Sequence, residues 1–266
     1  LKTKKLIKKI TMFNLNLNID HFATLRNARN SNEPNVISAA LQAEIAGATG
    51  IVAHLRVDRR HVKDEDIRLL QQVITTKLNL EMSTDDEIVK IAQEVKPAVA
   101  TLVPERPEEL TTEGGLDVVK HLKHIKECVK KMHDVGTKVS LFIEPEQKQL
   151  EAAKEVNADI VELHTGNYAI AWENDNSRAI EEHIDKFANA TQYAAENGLF
   201  VSAGHSLNYR NIKDICRVID IEEYNIGHSV VARSTMVGVQ AAVKEMIDLI
   251  IKYKTFYMAS ISGELV

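Results

Sequence analysis

Short apolar runs along the chain repeatedly end in polar, titratable residues. Six of these segments are Asn18-Ile19-Asp20-His21, Val52-Ala53-His54-Leu55-Arg56, Asn79-Leu80-Glu81, Val161-Glu162-Leu163-His164, Ser202-Ala203-Gly204-His205 and Asn225-Ile226-Gly227-His228. Each reads as a buried β-strand carrying chemistry at its C-terminal end. Between them the apolar period becomes helical: Ile88, Ile91, Ala92 and Val95 recur at three- and four-residue steps, as do Val118, Leu122, Ile125, Val129 and Met132. Strands are expected to end near Ile19, His54, Glu81, Val103, Ile143, Leu163, Ala203 and Ile226. Gly136 and Gly198 each follow a helical stretch just before a strand, where helix C-caps are expected.

Strands alternating with helices fit either a closed barrel or a doubly wound open sheet. The open sheet usually places a Gly-rich turn after its first strand, whereas here that strand leads into Asp20-His21-Phe22-Ala23-Thr24-Leu25-Arg26, with no glycine. The pattern therefore predicts one α/β domain, a (β/α)8 TIM-type barrel with parallel strands, over residues 13–252. Val243, Met246, Ile247 and Ile250 form one stripe of its last helix. Residues 253–266 lose periodicity and are expected to form a fraying C-terminal tail. Residues 1–12 hold five lysines around Leu6, Ile7 and Ile10 and are expected to be a disordered basic arm, with Met12 as the functional start.

Composition narrows the function. The 266 residues suit one barrel, and 44% hydrophobic with 27% charged residues is enough to bury a large core. A net charge of −5 argues against nucleic acid as a partner. No apolar run approaches the ~18 residues of a membrane span. Cys128 and Cys216 lie far apart without metal spacing, which suits a reducing cytoplasm.

In such a barrel all strand C-termini meet at one face, so side chains distant in sequence converge there. His54 and Arg56 flank Leu55 and share a face; Arg59, Arg60 and His61 follow as an anion-binding or simply solvated basic loop. Glu81 at an apolar barrel mouth is expected to have a raised pKa, with a structural ion pair as the plain alternative. Glu162 and His164 alternate with apolar neighbours, and both point inward. Gly204-His205-Ser206 and Gly227-His228-Ser229 place Gly-His pairs after the last two strands. There, backbone N–H groups and a helix N-terminus commonly bind phosphate, and Ser206 or Ser229 is available as a cap. Thr111-Thr112-Glu113-Gly114-Gly115 has the residues of a ligand-covering loop or of a plain one. Metal-dependent sugar-phosphate epimerase or aldolase chemistry on the same barrel stays open, as does a non-catalytic phosphometabolite-binding barrel.

These segments, with Thr24-Leu25-Arg26-Asn27-Ala28-Arg29, His54-Leu55-Arg56-Val57-Asp58-Arg59-Arg60-His61 and His164-Thr165-Gly166, resemble the pyridoxine 5′-phosphate synthase family from about Asn14 to Ile250. The resemblance implies a barrel enzyme that condenses 1-deoxy-D-xylulose 5-phosphate with 3-amino-2-oxopropyl phosphate. Its products are pyridoxine 5′-phosphate, phosphate and water, formed in vitamin B6 biosynthesis. It further implies a homo-octamer needing no metal or organic cofactor. On the matching positions, His54 and Glu81 are implied as proton acceptors, His205 as proton donor and Glu162 as a transition-state stabiliser. Asn18, Arg29, Ser206, Gly227 and His228 are implied to hold the aminoketone phosphate; Asp20, His21, Arg56, His61 and Thr111 the deoxyxylulose phosphate. Ser206 stands where that family usually has glycine, Val57 where an acid is common and Pro107 where a basic residue is common. A serine at positive φ there would be strained.

Overall fold

The computed structural model describes residues 13–105 and 114–262. Eight strands form: β1 Asn14–Asn18, β2 Gly50–His54, β3 Lys77–Met82, β4 Val99–Leu102, β5 Lys138–Ile143, β6 Ile160–His164, β7 Phe200–Gly204 and β8 Glu223–Ile226. They pair in parallel in chain order, and β8 closes on β1 with Leu17 opposite Ile226. The barrel expected from sequence is present, and closure removes the open-sheet alternative.

Helices cover the outside: α1 Asp20–Ala28, α2 Val36–Ile45, α3 Asp64–Val73, α4 Asp86–Val95, α5 Leu122–His133 and α6 Gln147–Glu155. After these come α7 Gly166–Glu173, α8 Ser177–Glu196, α9 Ile212–Ile215, α10 His228–Val237 and α11 Val239–Ser262. Local chemistry sets their limits. Asn35, Asp85 and Asn176 accept the N–H of Ser38, Glu87 and Ala179 and cap α2, α4 and α8. Gly136 and Gly198, at φ 85° and 74°, turn the chain after α5 and α8 as expected.

The strands are two-faced. Leu15, Leu17, Leu78, Leu80, Leu141, Val161, Leu163 and Tyr224 belong to one continuous apolar layer between barrel and helices. Burying each such side chain contributes about 1.5–3 kcal/mol. The alternate residues face one another inside, and most are polar. Asn16 donates to Asn225 (2.8 Å), Asn225 donates to Glu162 (2.6 Å) and Thr101 donates to Asn79 (2.7 Å). Lys77 on β3 pairs with Glu223 on β8, strands separated by β1 and β2, so this pair crosses the barrel interior. The interior is thus largely polar, and Asn-Leu-Asn-Leu-Asn in β1 is its direct signature.

The expected tail is a correction. Helix α11 continues through residues 253–262 because its inner stripe does: Lys254 and Met258 are each 2% exposed. Lys254 buries its stem and donates Nζ to the Ile219 and Ile221 carbonyls (3.0 and 2.5 Å), against the Tyr224 ring. A charged residue at that place hides the periodicity. The basic arm expected over residues 1–12 lies outside the described residues. No helix of the described residues is long and apolar enough to cross a membrane.

Candidate active site

The strand C-termini surround a cavity of about 350 Å³. Of the residues singled out by sequence, it brings together Asn18, Asp20, His21, His54, Arg56, His61, Glu81, Glu162, His205, Ser206, Gly227 and His228.

One wall is built by α1 and the loop after β2. Arg26 on α1 makes a bidentate pair with Asp66 on α3 (2.8 and 2.9 Å), both nearly buried. Asn27 donates to the Arg60 and His61 carbonyls (3.1 and 2.7 Å), so the loop that carries Arg56 and His61 is fastened to α1. Asp20 opens α1. Its Oδ1 accepts the His54 N–H (2.8 Å) and its Oδ2 accepts from Asn18 Nδ2 (2.9 Å). Burial nevertheless raises its proton affinity above the usual carboxylate range. The His21 ring lies 5.0 Å from that of His228 and 6.0 Å from that of His61, centre to centre. His61 also bonds Thr24 Oγ1 through Nδ1 (2.8 Å). Burial, then the neighbours His54, Arg56 and Arg60, push the His61 pKa down to about 4.

The acid–base groups sit on β2, β3, β6 and the end of β7. His54 Nε2 is 2.9 Å from Glu105 Oε1, and its Nδ1 is 3.8 Å from Glu81 Oε2. Glu105 also accepts the Val57 N–H (3.1 Å), which ties the end of β4 to the Arg56 loop. Burial raises Glu81 well above the usual carboxylate range, and the neighbouring carboxyls Glu162 and Asp20 push it further. Burial likewise pushes Glu162 up to about 8, against the opposing hydrogen bond from Asn225. A Cβ on Gly204 would overlap the Glu162 carboxylate, so glycine there lets β7 approach it. Beyond Gly204, His205 and Ser206 both adopt left-handed backbone, φ 74° and 63°. Burial first, then the charges of His164 and His21, bring His205 down to about 4.

The remaining wall is the start of α10, with Gly227 as cap and no side chain capping it. A Cβ at Gly227 would come within 2.9 Å of Asn18 Cβ. Unfilled N–H groups at a helix start, beside a glycine, suit an anion.

Three expectations change and a fourth falls outside the described residues. Arg29 follows the last turn of α1, exposed, its N–H on the Arg26 carbonyl, and is not among the residues lining the cavity. Ser229 does not cap α10: its hydroxyl donates to the Leu207 carbonyl (2.8 Å). Ser206 does not cap α9, and its carbonyl accepts from Asn211 (3.0 Å). Thr111 falls outside the described residues. Sequence reasoning passed over Glu105, Glu144 and Asn225 as site members. The first two are the first carboxylates past β4 and β5, the same signal that pointed to Glu81.

The model of the pyridoxal phosphate biosynthesis protein PdxJ matches residues 15–252. The chain belongs to that family. It is 51% identical over 239 residues to the pyridoxine 5′-phosphate synthase of Geotalea daltonii and 49% to that of Pelobacter propionicus. In each case 90% of this chain and 99% of the relative are covered. Among solved structures, orotidine 5′-monophosphate decarboxylase from Methanocaldococcus jannaschii superposes with TM-score 0.57 at 14% identity, over 90% of this chain and 99% of that one. Phosphoribosylanthranilate isomerase monomers from Thermotoga maritima give 0.55 at 13%, covering 90% and 98%. These two likenesses concern the barrel alone.

Proposed function

We propose that this cavity joins 1-deoxy-D-xylulose 5-phosphate to 3-amino-2-oxopropyl phosphate, giving pyridoxine 5′-phosphate, inorganic phosphate and water by acid–base catalysis. Family membership supports the activity. The observation that carries the chemistry is the pairing, in one cavity, of carboxyl groups with raised proton affinity and imidazoles with lowered affinity. Environments that push carboxyls up and imidazoles down are how an active site divides proton-transfer roles among its groups.

The overall change is redox-neutral. The amine adds to a ketone, two waters and one phosphate leave, and these losses supply the unsaturation of the pyridine ring. Every step needs a proton moved on or off carbon or oxygen. Glu81 and His54, 3.8 Å apart, act as acceptors. Glu105 fixes the His54 ring through Nε2. His205 is the donor; two phosphodianions entering the cavity favour its imidazolium form. Glu162, held by Asn225, supports charge developing at the reacting centre. Gly227, His228, Asn18 and Ser206 hold one phosphate at the α10 start; Asp20, His21, Arg56 and His61 hold the second substrate. Thr111 joins that second set through the family resemblance alone. Arg29 is left out, because the cavity does not include it. The homo-octamer and a cytoplasmic location belong to the same reading, and light scattering tests the first.

One observation favours the metal-dependent alternative: Asp20, His54 and Glu81 offer ligand atoms within 4.8 Å of one another. Both Asp20 oxygens and His54 Nε2 are, however, already hydrogen-bonded. The purified chain mixed with both substrates should yield pyridoxine 5′-phosphate by mass spectrometry, undiminished by EDTA. No product, or turnover lost to EDTA and restored by zinc or manganese, overturns the proposal.

A further inference from the structure

Two groups beside the cavity have no part in the chemistry above. Glu144 is the first residue after β5 and His164 the last of β6. Glu144 Oε1 lies 2.6 Å from His164 Nδ1. The same carboxylate accepts the Gly115 N–H (3.2 Å) and, through Oε2, Asn167 Nδ2 (3.5 Å). His164 is buried, and its ring packs edge-on against Phe142 with centres 5.1 Å apart. His205 stands beside it, ring centre to ring centre 5.2 Å. Phe142 also reaches His205, at 6.2 Å, so the three rings form one packed group. Gly166 completes it, since a Cβ there would overlap His164 Nε2 and come within 3.4 Å of His205 Cδ2.

An ionised carboxylate only accepts hydrogen bonds, so Nδ1 of His164 must carry the proton. That leaves Nε2 on the side of Gly166 and His205. A carboxylate that fixes the tautomer and tilt of an imidazole is a recurring way to orient a neighbouring reactive group. We propose that Glu144 and His164 are positioning residues for His205, the carboxylate holding the His164 ring and that ring setting the orientation and acidity of His205. The proposal rests on the reading of His205 as proton donor. Two further facts agree with it. Burial acts to raise Glu144, yet the bond and charge of His164 and the Gly115 and Asn167 donors hold it below the usual carboxylate range, so it is ionised. The charged groups acting on His205 are His164 and, from α1, His21, which itself faces Asp20, His61 and His228. His164 being one of the causes that lower His205, its removal in His164→Asn raises the proton affinity of His205.

The test compares Glu144→Gln, Glu144→Ala and His164→Asn with His205→Asn in the full chain. Glu144→Gln keeps an acceptor oxygen for His164 and Gly115 and removes the charge, together with the weaker acceptor for Asn167. The proposal expects kcat to fall at least tenfold in all three, with KM for both substrates within twofold of the parent. It also expects the kcat limb governed by His205 to move to higher pH in His164→Asn. Imidazole ¹⁵N spectra should show the Nδ1–H form of His164 in the parent and its loss in Glu144→Ala. Should Glu144→Ala not fold, Glu144→Gln and His164→Asn decide. Parent-like kcat and pH profile in these variants, or a change in KM alone, overturns the positioning role. If His205→Asn is inactive in that case, the donor reading survives; near-parent turnover in His205→Asn defeats both.

Discussion

Glu162 gives the sharpest quantitative expectation. Its carboxyl is buried inside the barrel, accepts a hydrogen bond from the Asn225 amide, and is pushed up to about 8 from an ordinary 4.5. A carboxyl whose folded pKa lies above its unfolded one contributes most stability when protonated, below the unfolded value. That contribution falls as pH rises through the folded value. Glu162→Gln removes the titration and keeps an acceptor for Asn225, whose own Oδ1 is fixed by Asn16. Proton linkage between 4.5 and 8 makes the parent lose about 4 kcal/mol relative to Glu162→Gln from pH 5 to pH 9, the larger part of it below pH 7. Urea unfolding of both proteins at pH 5, 7 and 9 measures the difference, with Glu81, which Glu162 pushes up, as the one neighbour whose titration also shifts. The variant should gain on the parent steadily across that range. Parallel stability curves would refute the claim that the interior holds this carboxyl protonated.

Other expectations follow from the same geometry. Glu81→Gln and His54→Asn should each lower kcat by on the order of 10² to 10⁴, the usual effect of losing a positioned acid–base group; a parent-like kcat would leave either residue an ion-pair role only. Gly204→Ala should cost at least tenfold in kcat, because the new methyl overlaps the Glu162 carboxylate; steady-state kinetics on folded protein checks it. Ser206→Gly should keep kcat within roughly threefold, about 0.6 kcal/mol, and relieve the φ of 63°, while His205→Ala abolishes turnover. Asp66→Ala should destabilise the fold by about 3–5 kcal/mol, since it leaves the nearly buried Arg26 unpaired; denaturant melts give the value.

Much of this was legible in the chain because barrel strands bring their ends together whatever lies between them. His54, Glu81, Glu162 and His205 each stand at or near a strand end, and the closed sheet places all four at one cavity. The polar interior was equally visible in Asn14-Leu15-Asn16-Leu17-Asn18 and Glu223-Tyr224-Asn225-Ile226, but apolar runs such as Ala98 to Val103 drew attention to burial on both faces. Glu105 and Glu144 escaped because they lie just past apolar strands, where a lone carboxylate reads as loop. Only the fold shows His54 and His164 bonded to them. Lys254 misled in the opposite sense: one lysine interrupted an apolar stripe that continues to Met258. Arg29 was carried by motif alone, and nothing in the local pattern shows that the helix ends before it turns toward the cavity.

The central claim is that this cavity joins two phosphorylated substrates and expels one phosphate as the ring closes. Following pyridoxine 5′-phosphate and inorganic phosphate together, with each substrate alone and with both, tests it most directly. Both products should appear in equal amounts, only when both substrates are present, and neither should form with His205→Ala. Phosphate released from one substrate alone, or released without the pyridine product, would contradict the account.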